Sequence, residues 1–335
     1  MLQKGFYYCL FFFVVNVSDI PSATATTSTL SSRLESDICL TATWATQGIT
    51  VAGGKGFGHG FDQLADPYGI FLDDNDTIYI ADRSNHRVIM WEQNATIGQL
   101  VAGAEWESTR SMSLNMPQDV VVDKNGTMYI SDGGNRRVVR WRRDAGEGEV
   151  IIDHIQAVGI GQDDEGSIYV SEYADGRITK WNMNDDELNG QVIATQLRQS
   201  NFLFVDQDRS VYSVGYMAHR IVKVSEDAEE PIIVAGQSDK SGRDLDQLAF
   251  PTGVFVDQLG TIYIADTDNH RVVRWPRGAA SGDLIIGEHG VGSESDQLHN
   301  PSDLFLDRYG NLYVTDTLNN RVQKFMIDKS SCLTN

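Results

Sequence analysis

Basic residues are scarce in this 335-residue chain: 27 Lys and Arg stand against 47 Asp and Glu, a formal charge of −20. Affinity for a phosphate backbone rests on Lys and Arg releasing counterions, and anionic bilayer surfaces recruit basic segments in the same way. Neither nucleic acid nor an anionic membrane surface is therefore an expected partner. Cationic partners or divalent metals suit the charge better. Cysteine is also rare, with three residues. Long apolar runs are absent after the first residues, so nothing downstream approaches the ~20 apolar residues of a membrane span. No sustained helical period appears either.

The one apolar run is "FYYCLFFFVV", Phe6 to Val15, preceded by Lys4 and followed by a polar stretch ending in Ala23-Thr24-Ala25. That order is the layout of a secretory leader, here 1–25, with an uncleaved anchor as the alternative. A Ser/Thr-rich linker, 26–38, follows; "TATTSTLSS" (Thr24 to Ser32) suits O-glycosylation. Cys9 falls in the leader, which leaves Cys39 and Cys332 at opposite ends of the mature chain. An even pair in an exported chain predicts a disulfide. Sequons at Asn75, Asn94 and Asn125 fit the same destination and mark candidate N-glycosylation sites. The expectation is a secreted, monomeric protein with no membrane span once the leader is cleaved.

What the chain does contain is repetition. Tyr79, Tyr129, Tyr169, Tyr212, Tyr263 and Tyr313 are each followed eight residues later by Arg87, Arg137, Arg177, Arg220, Arg271 and Arg321. An Asp stands six residues before every Tyr, and successive Arg residues are 50, 40, 43, 51 and 50 apart. Within a copy, "GVFVD", "TIYIAD", "HRVVRW" and "DLIIG" are short runs rich in Val, Ile and Tyr, separated by Gly, Asp and Asn. Such runs predict strands. Four strands per unit, six times over, predict an all-β fold: a six-bladed β-propeller of four-stranded antiparallel blades, occupying 39–333. Copy six ends at "RVQKFMID" without a fourth strand, and "GITVAG" (Gly48 to Gly53) stands unclaimed before copy one. The N-terminal strand should therefore complete the last blade and close the ring. A Cys39–Cys332 bond would then stand where that blade lacks a turn.

The copies resemble the NHL repeat, whose pattern is close to P-x-G-V-x-V-D followed by I-Y-V-A-D-T-x-N-H-R-I. "PTGVFVDQLGTIYIADTDNHRVVRW" (Pro251 to Trp275) is the clearest match, and the resemblance runs over about 40–328. Copies three and four depart from it: Glu172 and Gly215 replace the Asp, and Val224 replaces the closing Trp. The resemblance implies scaffold roles for the repeated residues. Asp82, Asp132, Asp266 and Asp316 should each hold an Arg five residues on. The position of His86, His219 and His270 recurs in separate blades, which disfavours one shared metal. Trp91, Trp141, Trp181, Trp275 and Phe325 should pack between blades. The glycine-rich "GGKGFGHG" (Gly53 to Gly60) lacks the G-K-[ST] ending of a phosphate loop and no helix follows it.

Function in such a fold sits on variable loops and the channel mouth. Residues starting each innermost strand are the candidates: Tyr68, Gln118, Asp119, Asn201, Thr252, Ser302 and Asp303. With Gln118 and Asn201, the carboxylates Asp119 and Asp303 could offer oxygens to Ca²⁺. The loop histidines His59, His154, His289 and His299 are the candidates for Zn²⁺, which needs about three convergent ligands. No motif demands a cofactor. Two functions fit: an extracellular binding scaffold for a protein, peptide or glycan, or a metal-dependent enzyme. The resemblance implies that such an enzyme would be like a peptidyl-amidoglycolate lyase (Zn) or a lactonase (Ca). RING and B-box cysteines are absent, so ligase activity of some NHL proteins does not carry over.

Overall fold

The computed structural model describes residues 38–103, 113–184, 188–226 and 230–333. The leader 1–25 and nearly all of the linker 26–38 lie outside the described residues. Ile38 is described, and it is buried against Gly310.

Six four-stranded antiparallel sheets form the molecule. Blade 5 shows how the sequence makes one. Its strands are Val254–Val256, Ile262–Asp266, Arg271–Trp275 and Asp283–Ile286, innermost to outermost. The three inner strands are buried at every residue, because neighbouring blades cover both faces, whereas the outermost begins exposed. That is why the inner runs are apolar at consecutive positions rather than alternating. The first hairpin turns on Asp257, whose Oδ1 accepts hydrogen bonds from the Leu259 and Thr261 N–H groups at 2.9 Å. The closing aromatics Trp91, Trp141, Trp275 and Phe325 are buried, while Trp181 keeps partial exposure.

The second hairpin carries the recurrent acid and arginine. Asp82–Arg87, Asp132–Arg137, Asp266–Arg271 and Asp316–Arg321 are each paired at 2.7 Å, and Glu172–Arg177 repeats the pairing in blade 3. The pair does more than tie its own hairpin. The other oxygen of each Asp accepts a main-chain N–H from Ala65, Asn115, Ala249 or His299, seventeen residues earlier. Each guanidinium also donates to carbonyls of that preceding connection, such as Gly60, Ser113, Gln247 and Gln297. Asn85, Asn135, Asn269 and Asn319 donate to the same carboxylates. The repeated words thus build a brace from hairpin to loop in four blades.

The ring closes on blade 6. Ile49–Gly53 pairs antiparallel with Arg321–Phe325, outside Leu312–Asp316 and Pro301–Leu306. A short ribbon not expected from the sequence adds to this: Thr43–Trp44 pairs with Ile327–Asp328. Trp44 Nε1 donates to the Gly310 carbonyl at 2.9 Å. Cys39 and Cys332 are disulfide-bonded, with Cα atoms 5.7 Å apart.

The histidines after the brace turn are blade couplers. His86, His219 and His270 adopt left-handed backbone angles, and their Nδ1 atoms accept the N–H groups of Met116, Phe250 and Asn300 in the following connection. Asn320 does the same in blade 6, its Oδ1 accepting from Asp66 at 2.9 Å. An imidazolium cannot accept at Nδ1. Burial holds His219 and His270 below the ordinary imidazole value, with His299 also lowering His270. The unfolded chain therefore binds those protons first. Their contribution to stability is full above about pH 6.5 and declines as pH falls towards the lower folded values. The double variant His219→Asn/His270→Asn keeps an acceptor without titrating. Between about pH 7.5 and 5.5 it should lose less stability than the parent, by about 1 kcal/mol per bond. Urea unfolding of both proteins at each pH measures the difference, in which titration of the buried carboxylates cancels.

Candidate functional site

All six innermost strands start at one end of the ring. There Tyr68, Gln118, Val158, Asn201, Thr252 and Ser302 line a cavity of about 410 Å³. The residue directly after the brace position, an acid in five blades and Gly215 in blade 4, lines it as well: Arg83, Gly133, Tyr173, Tyr216, Thr267 and Thr317. This second ring escaped the sequence analysis. Its signal was present, since that register changes from Arg to Gly, Tyr and Thr directly after a position that is Asp in four of the six copies.

Tyr68 makes the floor. It reaches from blade 1 to the opposite blade 4, where its ring lies 5.0 Å from Phe202 and its hydroxyl accepts from Asn201 Nδ2 at 3.2 Å. Arg83 lies 4.4 Å over the Tyr68 ring and pairs with Asp66 at 2.5 Å. Burial raises the Tyr68 phenol above its ordinary value. On blades 3 and 4, Tyr173 and Tyr216 form an aromatic wall with ring centroids 6.5 Å apart. The Tyr173 hydroxyl donates to Gln199 Oε1 at 2.8 Å. On blades 5 and 6 the wall is hydroxylic: Thr317 donates to Ser302, and Ser302 to the Tyr68 carbonyl, both at 2.7 Å. Asn201 is 3% exposed, yet its Oδ1 has no hydrogen-bond partner in the protein.

Below the floor the channel is apolar. Phe71, Phe305, Phe255 and Phe204 follow one another with centroids 5.7, 5.1 and 4.8 Å apart. Asp119 and Asp303 line this lower space, whereas Gln118 and Asn201 line the mouth. The expected four-residue oxygen set is thus divided, because successive side chains of an extended strand diverge. Each carboxylate oxygen already accepts a main-chain N–H: Asp119 from Val120 and Ile160, Asp303 from Leu304 and Ile70. The Ile160 and Ile70 bonds cross to the next blade. Burial pushes the Asp303 carboxyl up to about 7. Burial and the Asp303 charge raise Asp119 well above the usual carboxylate range. Glycine alternates with these side chains for a steric reason. A Cβ on Gly69 would lie 2.7 Å from the Gln118 carbonyl oxygen, and one on Gly253 2.8 Å from that of Ser302.

The loop histidines do not come together. His154 is almost fully exposed beside Asp153, and His289 Nδ1 stands 3.2 Å from Asp296. His299 meets the edge of His270 at 5.6 Å, while the His59 carbonyl accepts from Arg87. Among the described residues no three His, Cys, Asp or Glu form a group suited to a metal.

The NHL repeat profile matches residues 248–275, the blade 5 segment that resembles the repeat most closely. That match and six blades of four strands agree. The chain is a six-bladed β-propeller that carries an NHL repeat. No curated protein sequence matches it. Among solved structures, the NHL propeller is similar to an auxiliary nutrient binding protein from Bacteroides thetaiotaomicron VPI-5482. The TM-score is 0.66 at 13% identity, over 84% of this chain and 76% of that one. A gluconolactonase from Xanthomonas campestris gives 0.59 at 14% identity, over 87% and 99%. Virginiamycin B lyase from Staphylococcus aureus gives 0.51 at 11% identity, over 85% and 99%. At these identities the likeness is one of fold.

Proposed function

We propose that this NHL propeller is a secreted, non-enzymatic binding protein whose mouth takes a neutral, hydroxyl-rich ligand, a glycan. Asn201 Oδ1 carries the reading: a buried acceptor without a donor, on a residue that lines a cavity. Turned towards the cavity, that amide would take its missing donor from a ligand hydroxyl, and a buried polar group left unpaired costs about 1–3 kcal/mol. Tyr173 and Tyr216 offer ring faces to the C–H surface of a sugar, as aromatic linings do in small-molecule sites. The cationic side chain at the mouth, Arg83, is neutralised by Asp66, and the chain's charge of −20 disfavours an anionic ligand. Export is supported by the leader, the sequons and the disulfide. Among the described residues no helix is long and apolar enough to cross a membrane.

The test is a glycan array probed with the secreted protein, followed by titration of the best hit. Tyr173→Ala/Tyr216→Ala should weaken binding by at least about tenfold, or 1.4 kcal/mol, with melting unchanged. Absence of any hit, or a hit indifferent to both tyrosines, would turn the search to peptide and protein partners.

One observation favours a second reading, the metal-dependent enzyme. Two buried carboxylates lie beneath the mouth, and the Asp303 charge adds to burial in raising Asp119. The donor set fits a metal poorly. Ca²⁺ takes about six to eight oxygens, and here the four carboxylate oxygens each already accept a main-chain N–H. The loop histidines are too dispersed for the zinc alternative. Elemental analysis of protein purified without chelator separates the readings: about one Zn²⁺ or Ca²⁺ per chain would favour the enzyme.

A further inference from the structure

Each innermost strand runs away from the mouth, so the first hairpin of every blade lies at the far end. Asn75 and Asn125 occupy the same place in two of these turns. Asp73 Oδ1 accepts from the N–H groups of Asn75 and Thr77, and Asp123 Oδ1 from those of Asn125 and Thr127, at 2.8–2.9 Å. The turn explains the threonines, whose register in blades 3 to 6 holds Ser167, Ser210, Thr261 and Asn311 with the same N–H bond. It does not explain the asparagines. Their register elsewhere holds Glu165, Asp208, Leu259 and Tyr309, and the residue is exposed in all six blades. A position that accepts acid, leucine and tyrosine points outward and makes no structural demand.

Asn94 belongs to the same end. It stands three residues past Trp91, as Asn184 stands three past Trp181, and Asn184 lines a cavity of about 530 Å³ together with Asn75 and Asn125. Asn94 is exposed, with a left-handed backbone that favours Asn. That preference accounts for the asparagine but not for Thr96 two residues later. None of the three lines the mouth.

We infer that Asn75, Asn94 and Asn125 carry N-linked glycans, and that these form one sugar-covered patch over the far end of blades 1 and 2, leaving the mouth as the open face for a ligand. The inference rests on the export reading, and it adds a polarity to the molecule: a shielded end and a receptive end. Three glycans over two adjacent blades would screen the cavity between the first hairpins of blades 1 to 3, including Met183 on its wall.

The experiment expresses the full chain, with its own N-terminal segment, in eukaryotic secretory cells and collects the medium. Peptide-N-glycosidase in heavy-oxygen water marks each occupied asparagine as a labelled aspartate. Occupancy is expected at all three positions. Hydroxyl-radical footprinting then compares native protein before and after glycan removal. Met183 should lose protection, and Tyr173 and Tyr216 at the mouth should not change. Asn75→Gln/Asn125→Gln should reproduce the deglycosylated footprint at Met183 while folding normally, since both side chains are exposed. Bare asparagines on protein recovered from the medium would overturn the inference and leave export standing. Retention inside the cell without glycans would overturn both. Occupied sites with Met183 unchanged would overturn the shielding.

Discussion

Asp266→Ala should cost about 3–5 kcal/mol of folding stability, the range for removing one partner of a buried ion pair. The Asp266 carboxylate accepts from Arg271 Nε at 2.7 Å, Asn269 Nδ2 at 2.8 Å and the Ala249 N–H at 2.7 Å. It is fully buried, and burial raises its pKa despite the nearby guanidinium. Truncation strands three donors at once, one of them charged. Urea unfolding measures the loss, and the pair Arg271→Leu and Asp266→Ala/Arg271→Leu completes a cycle. The double variant should be less damaged than the sum of the singles, because no lone charge remains. Blade 4 is a natural comparison. Gly215 stands where the acid would be, and Arg220 bonds Ser238 Oγ at 2.8 Å with its Nε left without a partner. That arginine is partly exposed, whereas Arg271 is 8% exposed. If Asp266→Ala cost under about 1 kcal/mol, the value of a surface pair, the brace would be ornamental.

The contrast between blades 4 and 5 also shows what could be seen beforehand. Strand, turn and brace are encoded within a stretch of about twenty-five residues, so six copies exposed them by repetition alone. The Asp–Arg pairing was what the NHL resemblance implied for an acid and an arginine five residues apart across one turn; its bonds to the preceding connection were not foreseen. What a copy cannot reveal is what lies across the ring. Tyr68 meets Phe202 and Asn201 because closure sets blade 1 opposite blade 4, a relation 133 residues apart in sequence. Asp119 and Asp303 stood out as carboxylates in glycine registers, but their burial beside the channel phenylalanines needed the closed ring. His86, His219 and His270 were read as belonging to separate blades. Their use as acceptors for the next blade's N–H needed coordinates. Tyr173 and Tyr216 sit where copies three and four depart from the repeat, so departures from the pattern marked the mouth better than the pattern did.

Cutting the Cys39–Cys332 bond should lower stability by roughly 5 kcal/mol if the chain-entropy account holds for so long a loop. The bond joins residues 293 apart, so the denatured chain it constrains is nearly the whole domain. Cys39→Ser/Cys332→Ser against the parent, in urea, gives the size of the effect. Its origin is a separate question, and the fold allows it to be answered. The N-terminal segment is held in blade 6 by the Ile49–Gly53 ladder, the Thr43–Trp44 ribbon and the Trp44 bond to Gly310. If the disulfide acts through the denatured chain, these survive its loss, and native hydrogen exchange in Ile49–Gly53 stays as slow as in blade 2. If it acts as a native clasp, the ladder opens locally, and exchange at Ala52 and Val322 quickens ahead of global unfolding. The ladder and ribbon together engage both ends of the chain over several paired residues, which favours slow exchange and a denatured-state effect. Equal urea midpoints with and without the bond would sink both accounts, and would mean that paired strands alone close the ring.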